Sequence, residues 1–365
     1  MTRKSAILNN IIIYGLTLAS FVLVAIVGQR YASSFWKLVL LLVAGAILGA
    51  IIVSFFHELG HLIFGKKNGF AFISMSVLFF KWTKVKNKVK FSFSGIGNQI
   101  GYTEMVSKTS DNLKKRFSRM TLGGIYFSII PLIIGIVPIF LTFLPLWAYS
   151  LWVMLTPVAL FSILDNGLAQ VSDGVRNDGA IVKELKMDTD ASKVLVNINT
   201  IQAEMYQGKT PSQVDESLYF DLPQLPEDDL LFFLLLNARY NYYLDKGDFD
   251  NAKKTIQRML LLEEYVPKEY MFVAKADALY NACTFNLNEE LADDLTYELE
   301  KYLNKINNLT NLRIKLAYIL FIKGENDSFD IFYNKALKEV RRGQIKGYNE
   351  YELKLIDKMK GSLDI

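Results

Sequence analysis

The sequence predicts a mainly α-helical membrane bundle of about four spans with an interfacial β-hairpin, followed by a soluble α-helical domain. Three observations carry that expectation. Apolar residues make up 51% of the 365-residue chain and concentrate before Gln170. Four segments there reach the roughly 20 residues needed to cross a bilayer as a helix. Beyond Met187 the composition turns to mixed charge with helical periodicity. We therefore expect two parts, 1–187 in the membrane and 188–365 in the cytoplasm. The net charge of +4 is small and its basic residues cluster beside spans, so nucleic acid is not an expected partner. The single cysteine, Cys283, excludes an internal disulfide, and its Ala/Leu/Tyr-rich helical setting predicts a packed core thiol.

The first span is expected at about 7–27. Its apolar run, Ile11 to Val27, is long for a signal-peptide core, so a retained helix is expected. The second, about 38–64, carries Gly45, Ala46, Gly49 and Ala50, small residues that let a neighbouring helix approach closely. Near its end stands His57-Glu58-Leu59-Gly60-His61. On a helix, histidines four residues apart project from one face and can hold one metal ion, while the intervening glutamate serves as general base. These are the chain's only two histidines. Lys66 and Lys67 mark the end of the span, which puts the motif roughly 10–13 Å inside that boundary. A buried glutamate and two histidines without partners would be costly there, and that cost favours a metal site over two packed histidines.

Residues 70–106 change character. Phe70 to Phe80 is aromatic and β-prone, Lys81 to Lys86 alternates, Asn87-Lys88 suits a turn, and Val89 to Phe93 resumes. The glycines from Gly95 to Gly101 suit a bend. We expect an amphipathic hairpin at the cytoplasmic interface. It would either pair with an extended substrate strand or simply rest on the membrane.

Lys108, Lys114, Lys115, Arg116 and Arg119 precede the third span, about 120–143. Gly123, Gly124, Pro131, Gly135 and Pro138 predict a kink or partial unwinding there. The fourth span follows at about 146–168. Positive-inside bias places the loop between the second and third spans, and both chain ends, in the cytoplasm of a multi-pass membrane protein. The segment after the fourth span then shares the side of the metal motif. A catalytic zinc takes three protein ligands and leaves a fourth position open. With no third histidine, a carboxylate must complete the set, and Asp165, Asp173 and Asp178 are the candidates. Each could equally be a turn or helix-capping aspartate.

The soluble part reads as paired helices: Leu230 to Leu262 broken at Lys246-Gly247-Asp248, Glu269 to Ile306, and Asn311 to Val340 broken near Lys323 to Asn326. Tyr243, Gly247-Asp248-Phe249 and Ala252 look like a tetratricopeptide turn. Such a domain would bind a cytoplasmic partner peptide or support the membrane part.

The membrane part resembles the site-2 protease family of intramembrane zinc metalloproteases, and more closely a Gram-positive bacterial subgroup of it. The shared features are His57-Glu58-Leu59-Gly60-His61 in a span, the following Gly-Phe strand region, Gly123-Gly124 in the third span, and Asn177-Asp178-Gly179 after the fourth. The resemblance covers about residues 36–187. It implies that an Asp-Gly aspartate is the third zinc ligand. The subgroup's Asn-Asp-Gly form points to Asp178, with Asp173 of Ser172-Asp173-Gly174 as the second choice. Two features differ from the family: Ser128 stands where a third-span Asn is usual, and Asn166 to Gln170 replaces a proline-rich approach. The resemblance implies a zinc endopeptidase that cleaves a membrane-embedded or membrane-associated peptide near the cytoplasmic face, with His57, His61 and Asp178 on zinc and Glu58 as base. The alternative is a non-proteolytic membrane metal-binding protein, or an adaptor whose helical tail recruits a partner. The intact Glu58 argues against a purely structural metal, which needs no base.

Overall fold

The computed structural model describes residues 3–86, 88–95, 100–172, 174–305, 308–325 and 329–361. Helix α1 (Arg3–Gly28) leads through a 3₁₀ turn (Gln29–Tyr31) to α2 (Phe35–Lys67); α3 (Leu113–Phe140), α4 (Leu146–Val153) and α5 (Leu155–Gly167) complete the apolar part. Among the described residues, four helical stretches are long and apolar enough to cross a membrane: Lys4–Tyr31, Phe35–Lys67, Leu113–Phe140 and Leu146–Gly167. Their outward faces are apolar, with Ile11, Leu40, Ile133 and Phe140 all exposed. In water that would be unfavourable; in lipid it is the expected surface.

The fourth span is not one helix. It breaks at Met154 between α4 and α5, three residues before Pro157. Proline there cannot donate to the carbonyl of Val153, so the backbone ladder lapses at the junction. The third span departs from expectation in the opposite sense, remaining one continuous helix through Pro131 and Pro138 rather than unwinding. Met120, Gly124, Ser128, Pro131, Gly135 and Pro138 recur at steps of three or four and are all buried. The residues expected to break the helix therefore form its packing face. Around Gly124 that face meets His57 and His61 of α2, and at Gly135 it meets Leu155 and Thr156 of α5, while Gly45 and Gly49 of α2 pack on α4 and the Met154 junction.

The expected hairpin is half of a larger unit. Strands β1 (Phe70–Val77), β2 (Phe80–Val85), β3 (Lys88–Phe93) and β4 (Gly101–Ser107) form an antiparallel sheet in the order β3-β2-β1-β4. Asn87 of the expected turn, and residues 96–99 of the expected bend, lie outside the described residues. Phe80, Trp82, Phe91 and Phe93 cluster on one face of β2 and β3, and Trp82 reaches Phe55 of α2 at 5.9 Å between ring centroids. The sheet thus leans on α2 within one turn of His57. Strand β4 returns beside β1 with a bulge between Phe72 and Ser74.

After α5, a two-stranded ribbon of β5 (Val171–Ser172) and β6 (Val175–Arg176) precedes α6 (Asp178–Met187). The rest is helical, from α7 (Asp190–Gln207) to α15 (Lys346–Gly361). Three neighbouring pairs stand out: α9 (Leu230–Lys246) with α10 (Phe249–Leu260), α11 (Lys268–Cys283) with α12 (Glu289–Lys305), and α13 (Leu309–Phe321) with α14 (Phe329–Val340). Gly247, at φ +82°, ends α9, and the Asp248 side chain caps α10 by accepting from the Asn251 amide. One apolar core runs through these helices and extends back to Leu185 of α6. Within it Arg313 is fully buried, donating to Glu352 at 2.7 Å and to Asp277 at 3.0 Å. Burial pushes the Cys283 thiol up to about 12, so it behaves as a packed apolar group.

Candidate metal centre

Helix α2 presents His57 and His61 on one side, as their four-residue spacing requires, and their Nε2 atoms lie 3.1 Å apart. The opposite wall is α3. At the crossing, Gly60 and Gly123 touch backbone to backbone: a Cβ on either would strike the other's carbonyl. One residue on, a Cβ at Gly124 would fall onto the His61 ring and within 2.8 Å of His57 Cε1. Only glycine leaves the imidazoles their room.

Each ring is oriented through its other nitrogen. His57 Nδ1 lies 3.1 Å from Ser128 Oγ, which itself donates to the Gly124 carbonyl at 3.0 Å. His61 Nδ1 lies 3.2 Å from the Met120 carbonyl. With both Nδ1 atoms donating, both Nε2 lone pairs face the same point.

The third group arrives on α6. Asn177 caps this helix, its Oδ1 accepting from the Ala180 amide at 2.9 Å and the Gln170 amide at 3.0 Å. Its Nδ2 donates to the Leu168 carbonyl at 2.7 Å and to the Asp165 carbonyl. The first of these bonds caps α6 and the other three tie its start to the end of α5, and the absent Cβ of Gly179 lets α6 begin against the Gly167 backbone. Asp178, next after the cap, is thereby aimed inward. Its Oδ2 lies 3.2 Å from both His57 Nε2 and His61 Nε2.

Glu58 is buried on the neighbouring side of α2 and accepts a hydrogen bond from Thr103 Oγ1 of β4 at 2.7 Å. A Cβ on Gly101 would come within 2.8 Å of Glu58 Oε1, so β4 closes directly over the carboxylate. Thr103, Gly101 and Asn177 are supporting residues that spacing rules do not single out. Of the other aspartates weighed, Asp165 contributes its carbonyl to Asn177 rather than its carboxylate to the histidines. Asp173 lies outside the described residues.

A family model for peptidase family M50 matches residues 32–323, most of the chain. The chain belongs to peptidase family M50. Membership makes it a membrane-bound metallopeptidase of the site-2 protease type, a hydrolase, and members of the family are zinc enzymes. No curated protein and no solved structure matches the chain.

The donor set of this M50 peptidase suits zinc. Tetrahedral zinc with bonds of about 2.0–2.2 Å holds its ligand atoms about 3.3–3.5 Å apart. The three atoms here form a near-equilateral triangle with sides of 3.1–3.2 Å. Asp178 Oδ2 is buried with no hydrogen-bond donor. Three lone pairs converging in a dry site call for a cation among them.

Proposed function

We propose that this M50 peptidase is a zinc endopeptidase in which His57, His61 and Asp178 are the metal ligands and Glu58 is the general base. The substrate would be a membrane-embedded or membrane-associated peptide, cut near the cytoplasmic face. The observation that carries the reading is the triangle of 3.1–3.2 Å around an Asp178 oxygen that has no donor of its own. Zinc, when bound, supplies Lewis acidity to a water and to the scissile carbonyl. Glu58 takes the proton of the attacking water and delivers it to the departing amide nitrogen. Thr103 keeps that carboxylate pointed during both transfers.

A peptide bond within a helix is shielded by its own hydrogen bonds, so the substrate must unwind first. Strand β4 packs Gly101 and Thr103 against Glu58. A substrate strand added to this sheet would be delivered to the base. We also take residues 1–187 as the catalytic part and 188–365 as a cytoplasmic domain, with both chain ends on the cytoplasmic side. The three helix pairs and the Gly247–Asp248 corner support a tetratricopeptide-like reading of that domain, with a peptide partner. Asn177-Asp178-Gly179 supports the Gram-positive subgroup with that ligand motif.

The test is Glu58→Gln, with zinc content and membrane peptides both measured. Purified variant and parent should each carry about one zinc per chain. Peptides released by the parent should be missing from membranes that hold the variant. Release that persists with Glu58→Gln would overturn the assignment.

A further inference from the structure

We infer that a cavity where α3 enters the membrane binds the phosphate of an anionic phospholipid, bridging α3 to the helix that carries Asp178. The cavity, of about 620 Å³, lies between the first two turns of α3 and the last turn of α6. Lys114, Lys115 and Arg119 line it from α3, and Lys186 from α6; among the described residues no carboxylate lines it. Lys114 is occupied by Asp188 at 2.6 Å. Among the described residues, Lys115, Arg119 and Lys186 have no ion-pair partner, and all three are exposed.

A bias of cations toward the cytoplasmic side accounts for Lys115 and Arg119 on a span's approach. It does not account for Lys186, which comes from a different helix and faces the same space. Three unpaired cations around one cavity repel each other until an anion enters. A second observation points the same way. The N-cap of α3, Asn112, is in the left-handed region at φ +47° and gives no side-chain cap to this 28-residue helix, and Asn112, Leu113, Lys114 and Lys115 of its start all line the cavity. Uncapped amides at the positive end of a helix are a phosphate-binding arrangement.

The surroundings favour a lipid over free phosphate. Arg119 is followed at once by the apolar length of α3. Lys186 also lines an adjoining cavity of about 560 Å³ whose walls include Leu122, Ile125 and Val182. Charged groups at the membrane boundary thus adjoin a second cavity whose α3 wall, Leu122 and Ile125, is apolar and whose other walls include Ser5, Asn9 and Lys183, which leaves room for an acyl chain below a phosphodiester.

The consequence concerns the metal centre. Helix α3 supplies the Met120 carbonyl to His61 and Ser128 to His57, while α6 supplies Asp178. A phosphate shared by Arg119 and Lys186 would pin those two helices together one side away from the triangle.

The full chain in phosphatidylcholine nanodiscs, with none or about 30 mol % phosphatidylglycerol, provides the test. Phosphatidylglycerol retained on extraction is counted by native mass spectrometry, and thermal stability is followed in parallel. The parent should retain the lipid and melt higher in its presence. Arg119→Gln with Lys186→Gln should weaken retention by roughly 25-fold, at about fivefold per cation lost. The charge-conserving pair Arg119→Lys with Lys186→Arg should restore it, which separates a lost site from a misfolded chain. Lys88→Gln with Lys90→Gln, exposed cations on β3, should retain lipid like the parent. Equal loss in both neutralised pairs would reduce the effect to general surface charge and overturn the site. Equal stabilisation by inorganic phosphate in pure phosphatidylcholine would reassign the cavity to a soluble anion and overturn the lipid.

Discussion

The Thr103 hydroxyl donates to the Glu58 carboxylate at 2.7 Å and lies 3.1 Å from the Glu58 carbonyl. The small sheet is thus fastened to α2 at the residue we propose as the general base, not merely near it. Thr103→Val keeps the shape and removes the hydroxyl. We expect peptide cleavage to fall about tenfold through kcat, with zinc content unchanged. The pH–rate profile should also move, because an ionised carboxylate loses a donor. An unchanged profile would show that the hydroxyl does not position the base.

Asn177 holds α6 by both ends of its amide. Asn177→Ala removes a helix cap and two ties to the α5 terminus. Stability should fall by about 1–2 kcal/mol in thermal melts. Zinc affinity should fall roughly 10–100-fold, as for loss of a group that orients a ligand. Asn177→Asp, which can still cap but cannot donate to the Leu168 and Asp165 carbonyls, should retain more stability than metal affinity. Equilibrium dialysis against a zinc buffer separates the two effects.

At Gly124 the added atom of Gly124→Ala would land on the His61 ring and against His57. The backbones here are already in contact at Gly60 and Gly123, so α3 cannot withdraw without opening the seam. We expect the purified variant to carry little zinc while its helical circular dichroism stays close to that of the parent. A full complement of zinc in Gly124→Ala would show that the two helices yield more readily than their glycine contact implies.

The helical part beyond α6 carries its own pH signature. Burial raises the Asp277 carboxyl to about 6 despite the Arg313 guanidinium beside it. A carboxyl raised on folding contributes stability that is fully present below its unfolded value of about 4 and is lost as pH rises through about 6. The contribution amounts to roughly 2–3 kcal/mol over that window. Replacing the acid with Asp277→Asn should flatten the pH dependence of melting between about pH 4 and 6. The slope difference between parent and variant is the quantity to measure, since other carboxylates titrate in both.

Much of this arrangement is written locally. The histidines meet because four residues make one helical turn, and the spans announce themselves by length and apolarity. Asp178 lies far along the chain, and only its Asn-Asp-Gly setting distinguished it from Asp165 and Asp173. What stayed hidden is non-local or concerns backbone rather than composition. β4 pairs with β1 across the intervening β2 and β3, so no turn signal joins them. Thr103 is an ordinary strand threonine until the sheet sets it against Glu58. Hydropathy cannot register a helix break such as Met154, since an apolar residue looks the same on either side of one. The glycines and prolines of α3 were read singly as breakers; their three-and-four spacing, taken together, describes a face.

That face has a consequence for how the chain can change. At its crossing with α2 the seam is glycine against glycine, with no side-chain volume to exchange. In the helical core a leucine can give way to a methionine while a neighbour shifts to compensate. Where Gly60 meets Gly123, every alternative residue is larger, and no partner can shrink to receive it. Variation in this protein is therefore directed outward, to the lipid-facing sides of α1 to α5 and to the surface of the helical domain, while the Gly60–Gly123 crossing is closed to any residue but the one it has.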